Sequence, residues 1–109
     1  MQPRLIPALL AAAFSLSAVA ADMTTVTLVA KDGQFQPQVL EVPAGKRFRI
    51  LVRNEGRQAM EFESHALHKE KVIAPGREAA ITIAPLRAGE YPFVDEFHER
   101  TGKGRVIAR

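Results

Sequence analysis

The chain has 109 residues with 15 Lys and Arg against 12 Asp and Glu, a formal charge of +3 at neutral pH, and no cysteine. One small domain is the most such a length supports after a leader, and the slight basic excess is too small to argue for nucleic acid. The missing cysteine excludes disulfides, thiolate nucleophiles, thiolate zinc sites and any copper–thiolate bond.

Met1 to Arg4 carry one positive charge, Leu5 to Ala18 form an apolar run, and Ala18-Val19-Ala20 has the small-x-small form of a cleavage site. These features predict a signal peptide over residues 1–20, a domain over 21–109 and export to the periplasm, with no integral membrane segment left after processing. In Thr24 to Ala30, Val26 and Leu28 alternate with Thr25 and Thr27, which predicts a half-buried strand. Lys31-Asp32-Gly33 reads as a turn, Val39 to Val42 as a short strand, and Pro43-Ala44-Gly45 as the next turn. Phe48, Ile50 and Val52 then alternate with Arg47, Arg49 and Arg53, giving a strand with one apolar and one cationic face.

Beyond the Asn54-Glu55-Gly56 turn, Met60 and Phe62 alternate with Glu61 and Glu63, and Lys71 to Ile73 ends at Ala74-Pro75-Gly76. Between them, Ser64 to Lys69 has room for one helical turn. Ile81 and Ile83, Tyr91 to Val94 and Arg105 to Ala108 supply the remaining strands. Short strands between turn signals, with no helical periodicity, predict an all-β antiparallel sandwich or barrel.

Chemistry is concentrated in a few residues. His65 and His68 stand three apart, so they either share a metal on a helical turn or sit exposed in a loop. Asp95-Glu96-Phe97-His98-Glu99 places three carboxylates and one imidazole just before Thr101-Gly102-Lys103-Gly104. Such donors suit a hard or borderline cation, and the alternative is a solvated acidic loop balanced by Arg100 and Lys103. The face bearing Arg47, Arg49 and Arg53, followed by Arg57, either docks an acidic partner or an anionic lipid surface, or pairs with glutamates such as Glu61, Glu63 and Glu78.

Gln34-Phe35-Gln36-Pro37, Val42-Pro43-Ala44-Gly45, Arg53-Asn54, Met60-Glu61-Phe62, Ile73-Ala74-Pro75-Gly76 and Gly89-Glu90-Tyr91 through Lys103-Gly104 resemble successive landmarks of a cupredoxin. The resemblance implies a cupredoxin-like Greek-key β-sandwich or barrel. In its terms Met60 takes the place of the first histidine ligand of a blue copper site and Asp95 that of the cysteine. His98 matches the loop histidine, and Gly102 falls near the axial methionine.

Met60-Glu61-Phe62-Glu63-Ser64, Glu70 to Gly76 and Phe93 to Glu99 further resemble the EfeO-type cupredoxins of bacterial iron uptake. That resemblance implies a periplasmic metal-binding protein assisting a high-affinity iron permease and its periplasmic iron-binding protein. Copper and iron are the metals it implies, without blue copper electron transfer. The expected metal residues are Met60, Glu61, Glu63, Asp95, Glu96, His98 and Glu99, with Met60 open between ligand and core packing. Two other functions stay open: a metal-free docking or assembly module, and a copper-dependent component for ferrous iron oxidation. No nucleophile–base constellation points to an independent catalytic cycle.

Overall fold

The computed structural model describes residues 2–4 and 23–109. The apolar run and cleavage site expected over residues 5–20 therefore lie outside the described residues, among which no helix is long and apolar enough to cross a membrane.

Nine strands follow in order: β1 (Thr24–Lys31), β2 (Gln34–Gln36), β3 (Val39–Val42), β4 (Phe48–Asn54), β5 (Met60–Ser64), β6 (Lys69–Ile73), β7 (Glu78–Ile83), β8 (Gly89–Asp95) and β9 (Lys103–Ala108). They form a two-sheet sandwich. One sheet has four strands in the order β2-β1-β4-β7, the other five in the order β3-β9-β8-β5-β6. Two pairings are parallel, β1 with β4 and β3 with β9, and the rest are antiparallel. The expected all-β sandwich is therefore present.

Period-2 alternation explains which side chains fill the space between the sheets. Phe48, Ile50 and Val52 from β4 are fully buried, as are Leu28 from β1, Phe62 from β5 and Val106 from β9. Phe93 from β8 bridges the layers, its ring 5.1 Å from Phe35 in an edge-on contact and 5.2 Å from Phe62. Gly104 on β9 makes room for it, since a Cβ there would stand 2.5 Å from the Phe93 ring.

Two local expectations change. Gln34–Gln36 forms a strand paired with the end of β1, although the sequence marks it only as a landmark. Residues 65–68 form a tight turn and no helix: His68 has φ 55° and its N–H donates to His65 O at 3.2 Å. Leu67 is buried in the core, and its N–H donates to Ser64 Oγ, which holds the turn against the sandwich. The β5–β6 pairing then fixes Glu63 directly opposite Glu70.

Candidate metal centre

The expected metal residues come from two places that meet at one end of the sandwich: the start of β5 and the end of β8 with the 3-10 turn Glu96–His98. Phe62 pairs with Asp95 and Glu63 with Val94, and the Glu61 N–H donates to Asp95 Oδ1 at 3.0 Å. Alternation then sorts the donors to two sides. Met60 and Asp95 face inward, whereas Glu61 and Glu63 face outward, where Glu96 joins them.

On the inner side Asp95 is buried, with 3% of its surface exposed. Its Oδ1 accepts from the N–H groups of Glu61 and Phe97, the second at 3.1 Å, and so caps the 3-10 turn. Its Oδ2 lies 2.7 Å from His98 Nδ1, and His98 Nε2 lies 3.2 Å from Gln58 Oε1. Met60, Gln58, Asp95 and His98 line a cleft of about 370 Å³ together with Asn54 and Lys31. Met60 is only 2% exposed and belongs to the continuous apolar core, so it serves packing while also lining the cleft.

Glycines shape the ring's seat. Gly33, at φ +74°, approaches so closely that a Cβ would stand 3.2 Å from His98 Cδ2. Gly102, near the place an axial methionine would take, admits no side chain, because a Cβ would meet Asp95 Cβ at 2.6 Å and His98 O at 3.0 Å.

On the outer side Glu61, Glu70 and Glu96 each bring a carboxylate oxygen within 4.8 Å of the others. Glu61 is pushed up from 4.5 to about 7, first by its hydrogen bond to Glu96, then by burial and by Glu70. Glu63 is also raised, chiefly by its own hydrogen bond to Glu96 and by burial. Glu96 is lowered because it accepts from both. Crowded carboxylates sharing protons in this way are what a multivalent cation relieves.

Glu99 caps the far end of the 3-10 turn, is exposed, and stands outside that trio. His65 and His68 are both exposed in their turn, His65 Nε2 lying 3.3 Å from Glu63 Oε1. Sequence reasoning misses two residues that the structure brings to these two sides, Glu70 and Gln58. The first was accessible from the hairpin register that sets Glu70 against Glu63, and the second has no sequence signal because it lies in an irregular loop.

Comparison with known proteins agrees with this architecture. Residues 4–108 match the cupredoxin-like domain family. An uncharacterized protein of Rickettsia prowazekii is 38% identical over 82 residues, 75% of this chain and 66% of that protein. The iron uptake system component EfeO of Yersinia pseudotuberculosis is 37% identical over 83 residues, 72% of this chain but only 22% of EfeO. This chain therefore spans less than two thirds of either relative.

Among solved structures, dithionite-reduced auracyanin from Roseiflexus castenholzii superposes with a TM-score of 0.66 at 14% identity, covering 79% of this chain and 97% of that one. The metal-binding domain of the Streptococcus pneumoniae Cu(I)-exporting ATPase CopA gives 0.66 at 16% identity, covering 78% and 84%. At such identities these two speak to the fold alone. On the match across its strands and loops, the chain belongs to the cupredoxin-like domain family, and it is homologous to the cupredoxin domain of EfeO.

Proposed function

We propose that the protein is an exported metal-binding component of an iron-uptake system, with a leader over residues 1–20, a mature domain from residue 21 and the periplasm as its site of work. The observation that carries this reading is the outer carboxylate trio of Glu61, Glu70 and Glu96, with the homology to part of EfeO supplying the context. Oxygen donors favour a hard cation, so iron is the cargo of this side, with Glu63 as a further donor. An iron permease and its periplasmic iron-binding protein are the partners this context suggests.

Copper is the cofactor proposed for the inner side. The residues do not fit a blue copper centre, because the cysteine position holds Asp95 and the chain has no thiolate at all. They do fit a centre of nitrogen and oxygen donors, with His98 as its imidazole, Met60 as a weak thioether neighbour and Asp95 against the ring, while Glu99 stands exposed just beyond the same turn. Copper, when bound, supplies a one-electron couple. His98 binds and Asp95 holds the ring.

Iron and copper binding by equilibrium dialysis tests the reading. Glu61→Gln and Glu96→Gln are expected to lower iron affinity at least tenfold and leave copper nearly unchanged, and His98→Ala is expected to do the reverse. Wild-type protein that retains neither metal supports the metal-free docking module instead. A second reading, ferrous iron oxidation, is favoured by the adjacency of the two sides, since Met60 and Glu61 are consecutive, as are Asp95 and Glu96. Ferrous ion consumption under air, with and without copper, decides it.

A further inference from the structure

We propose that the arginine-bearing outer face of the four-stranded sheet docks the acidic outer corner of a second copy of this chain, so that copies join head to tail. The contact requires no bound metal.

Alternation along β4 turns Phe48, Ile50 and Val52 into the core and Arg49, Leu51 and Arg53 outward, with Arg47 continuing the row just before the strand. Register sets Arg49 between Thr25 of β1 and Thr82 of β7, and Leu51 between Thr27 and Ala80. Those four neighbours are exposed, short and uncharged, so they form a low platform around the guanidinium groups. Arg53 has Glu78 at 3.5 Å, whereas among the described residues no carboxylate lies within 4 Å of Arg47 or Arg49.

The five-stranded sheet carries the complement. Glu61, Glu70 and Glu96 bring carboxylate oxygens within 4.8 Å of one another, and Glu63 lies opposite Glu70. Among the described residues no lysine or arginine lies within 4 Å of these carboxylates, and only His65 approaches, 3.3 Å from Glu63. The two large apolar side chains left exposed among the described residues border the same corner. Val72, 52% exposed, pairs with Glu61 across the β5–β6 hairpin, and Phe97, 51% exposed, follows Glu96 in the 3-10 turn. Apolar side chains set among charged ones are the anatomy of a protein interface.

Stacked sheets lie about 10 Å apart and their outer side chains point in opposite directions, so one copy cannot meet its own arginines with these glutamates. A second copy can. Guanidinium groups take carboxylates in bidentate pairs and stack on aromatic rings, so Arg47 and Arg49 suit Glu70 and Glu96 and also the Phe97 ring. Leu51, half-buried in the arginine row, offers Val72 an apolar neighbour across the contact. Each docked copy keeps one face of each kind free. The contact is therefore heterologous and open, and chains lengthen with concentration instead of closing as pairs. With two arginines at its centre it is weak and sensitive to salt.

Sedimentation equilibrium of the protein in chelator tests this. At low salt the average mass is expected to rise steadily with protein concentration, and at high salt to fall to that of the monomer. Arg47→Gln with Arg49→Gln, and Glu70→Gln with Glu96→Gln, are each expected to weaken association roughly tenfold or more. Mixed in equal amounts, the two variants are expected to form a pair that grows no further, because one keeps the acidic corner and the other the arginine face. That pairing also shows that both are folded. Phe97→Ala, which alters no charge, is expected to weaken wild-type association severalfold.

A monomer at every concentration in low salt would overturn the proposal, as would a mass that levels off at a closed pair. So would association that either double variant retains or that Phe97→Ala leaves undiminished, or a mixture that stays monomeric. Monomers that bind anionic vesicles through Arg47 and Arg49 would give the face to lipid instead.

Discussion

Glu61 holds a proton to about pH 7 because its carboxyl is hydrogen-bonded to Glu96 in a largely buried setting that Glu70 also crowds. Between the ordinary value of 4.5 and that raised value the folded chain binds more protons than the unfolded one, so this stability is full below about 4.5 and lost as pH rises through about 7. Glu63 acts in the same direction, whereas the lowered Glu96 acts oppositely and loses its contribution on acidification. The metal-free protein should therefore show a urea midpoint that falls from pH 5 to pH 8, and Glu61→Gln should flatten it. A midpoint that rises over that interval would contradict the proton sharing. The proposed iron binding should release protons near neutrality and weaken as pH drops below about 7, read by titration calorimetry in buffers of different ionisation heat. A second residue-scale expectation concerns Gly102: alanine there must push Asp95 or the His98 carbonyl aside, and overpacking of this kind costs about 1–3 kcal/mol in chemical denaturation. Asp95 and His98 are legible in the sequence because scarce donors crowd the end of a strand. Which atoms of theirs meet is not, since that depends on the backbone angles of residues 95–97.

Asn54 shows how one element steadies another. At the end of β4 its Nδ2 donates to Gln58 O at 2.8 Å and Ile73 O at 2.9 Å, and its Oδ1 accepts from the Gly56 N–H at 3.0 Å. It thereby ties the loop carrying Gln58 to the end of β6. Asn54→Ala leaves these groups without their partner and should cost about 1–3 kcal/mol, with faster amide exchange over residues 55–59 as the sign that the loop has loosened. The long alternating strands were readable from sequence for the same reason that they form: each has one face to bury. The three-residue β2 was not readable, because Gln-Phe-Gln offers a single apolar side chain and its pairing depends on the preceding turn. The segment 64–69 misleads through composition, since its polar residues suit a helix end while the buried Leu67 and the left-handed His68 close a hairpin.

Across the whole molecule, charge is divided between the two outer faces. Glu61 and Glu63 belong to the five-stranded sheet and are out of reach of the arginines on β4, so the pairing expected from sequence is met only by Arg53 and Glu78 at 3.5 Å. Among the described residues no carboxylate lies within 4 Å of Arg47 or Arg49. Replacing both with glutamine should change stability by less than about 0.5 kcal/mol, as for ordinary surface positions. It should slow association with an acidic partner, and the difference should vanish at high salt in surface-plasmon measurements. An association rate unchanged at low salt would leave this face without a docking role. At the other end, the donor loop is closed on itself: Asp95 N–H donates to Gly102 O at 2.7 Å, and the N–H of Gly102 returns to His98 O at 2.8 Å. Residues 96–101 thus hang from the open end of the β8–β9 ladder, whose register Asp95 and Gly102 continue beyond Val94 and Lys103. Such a segment is an exchangeable cassette, in which natural drift or laboratory grafting can rewrite the set of polar side chains while the sandwich beneath keeps its register.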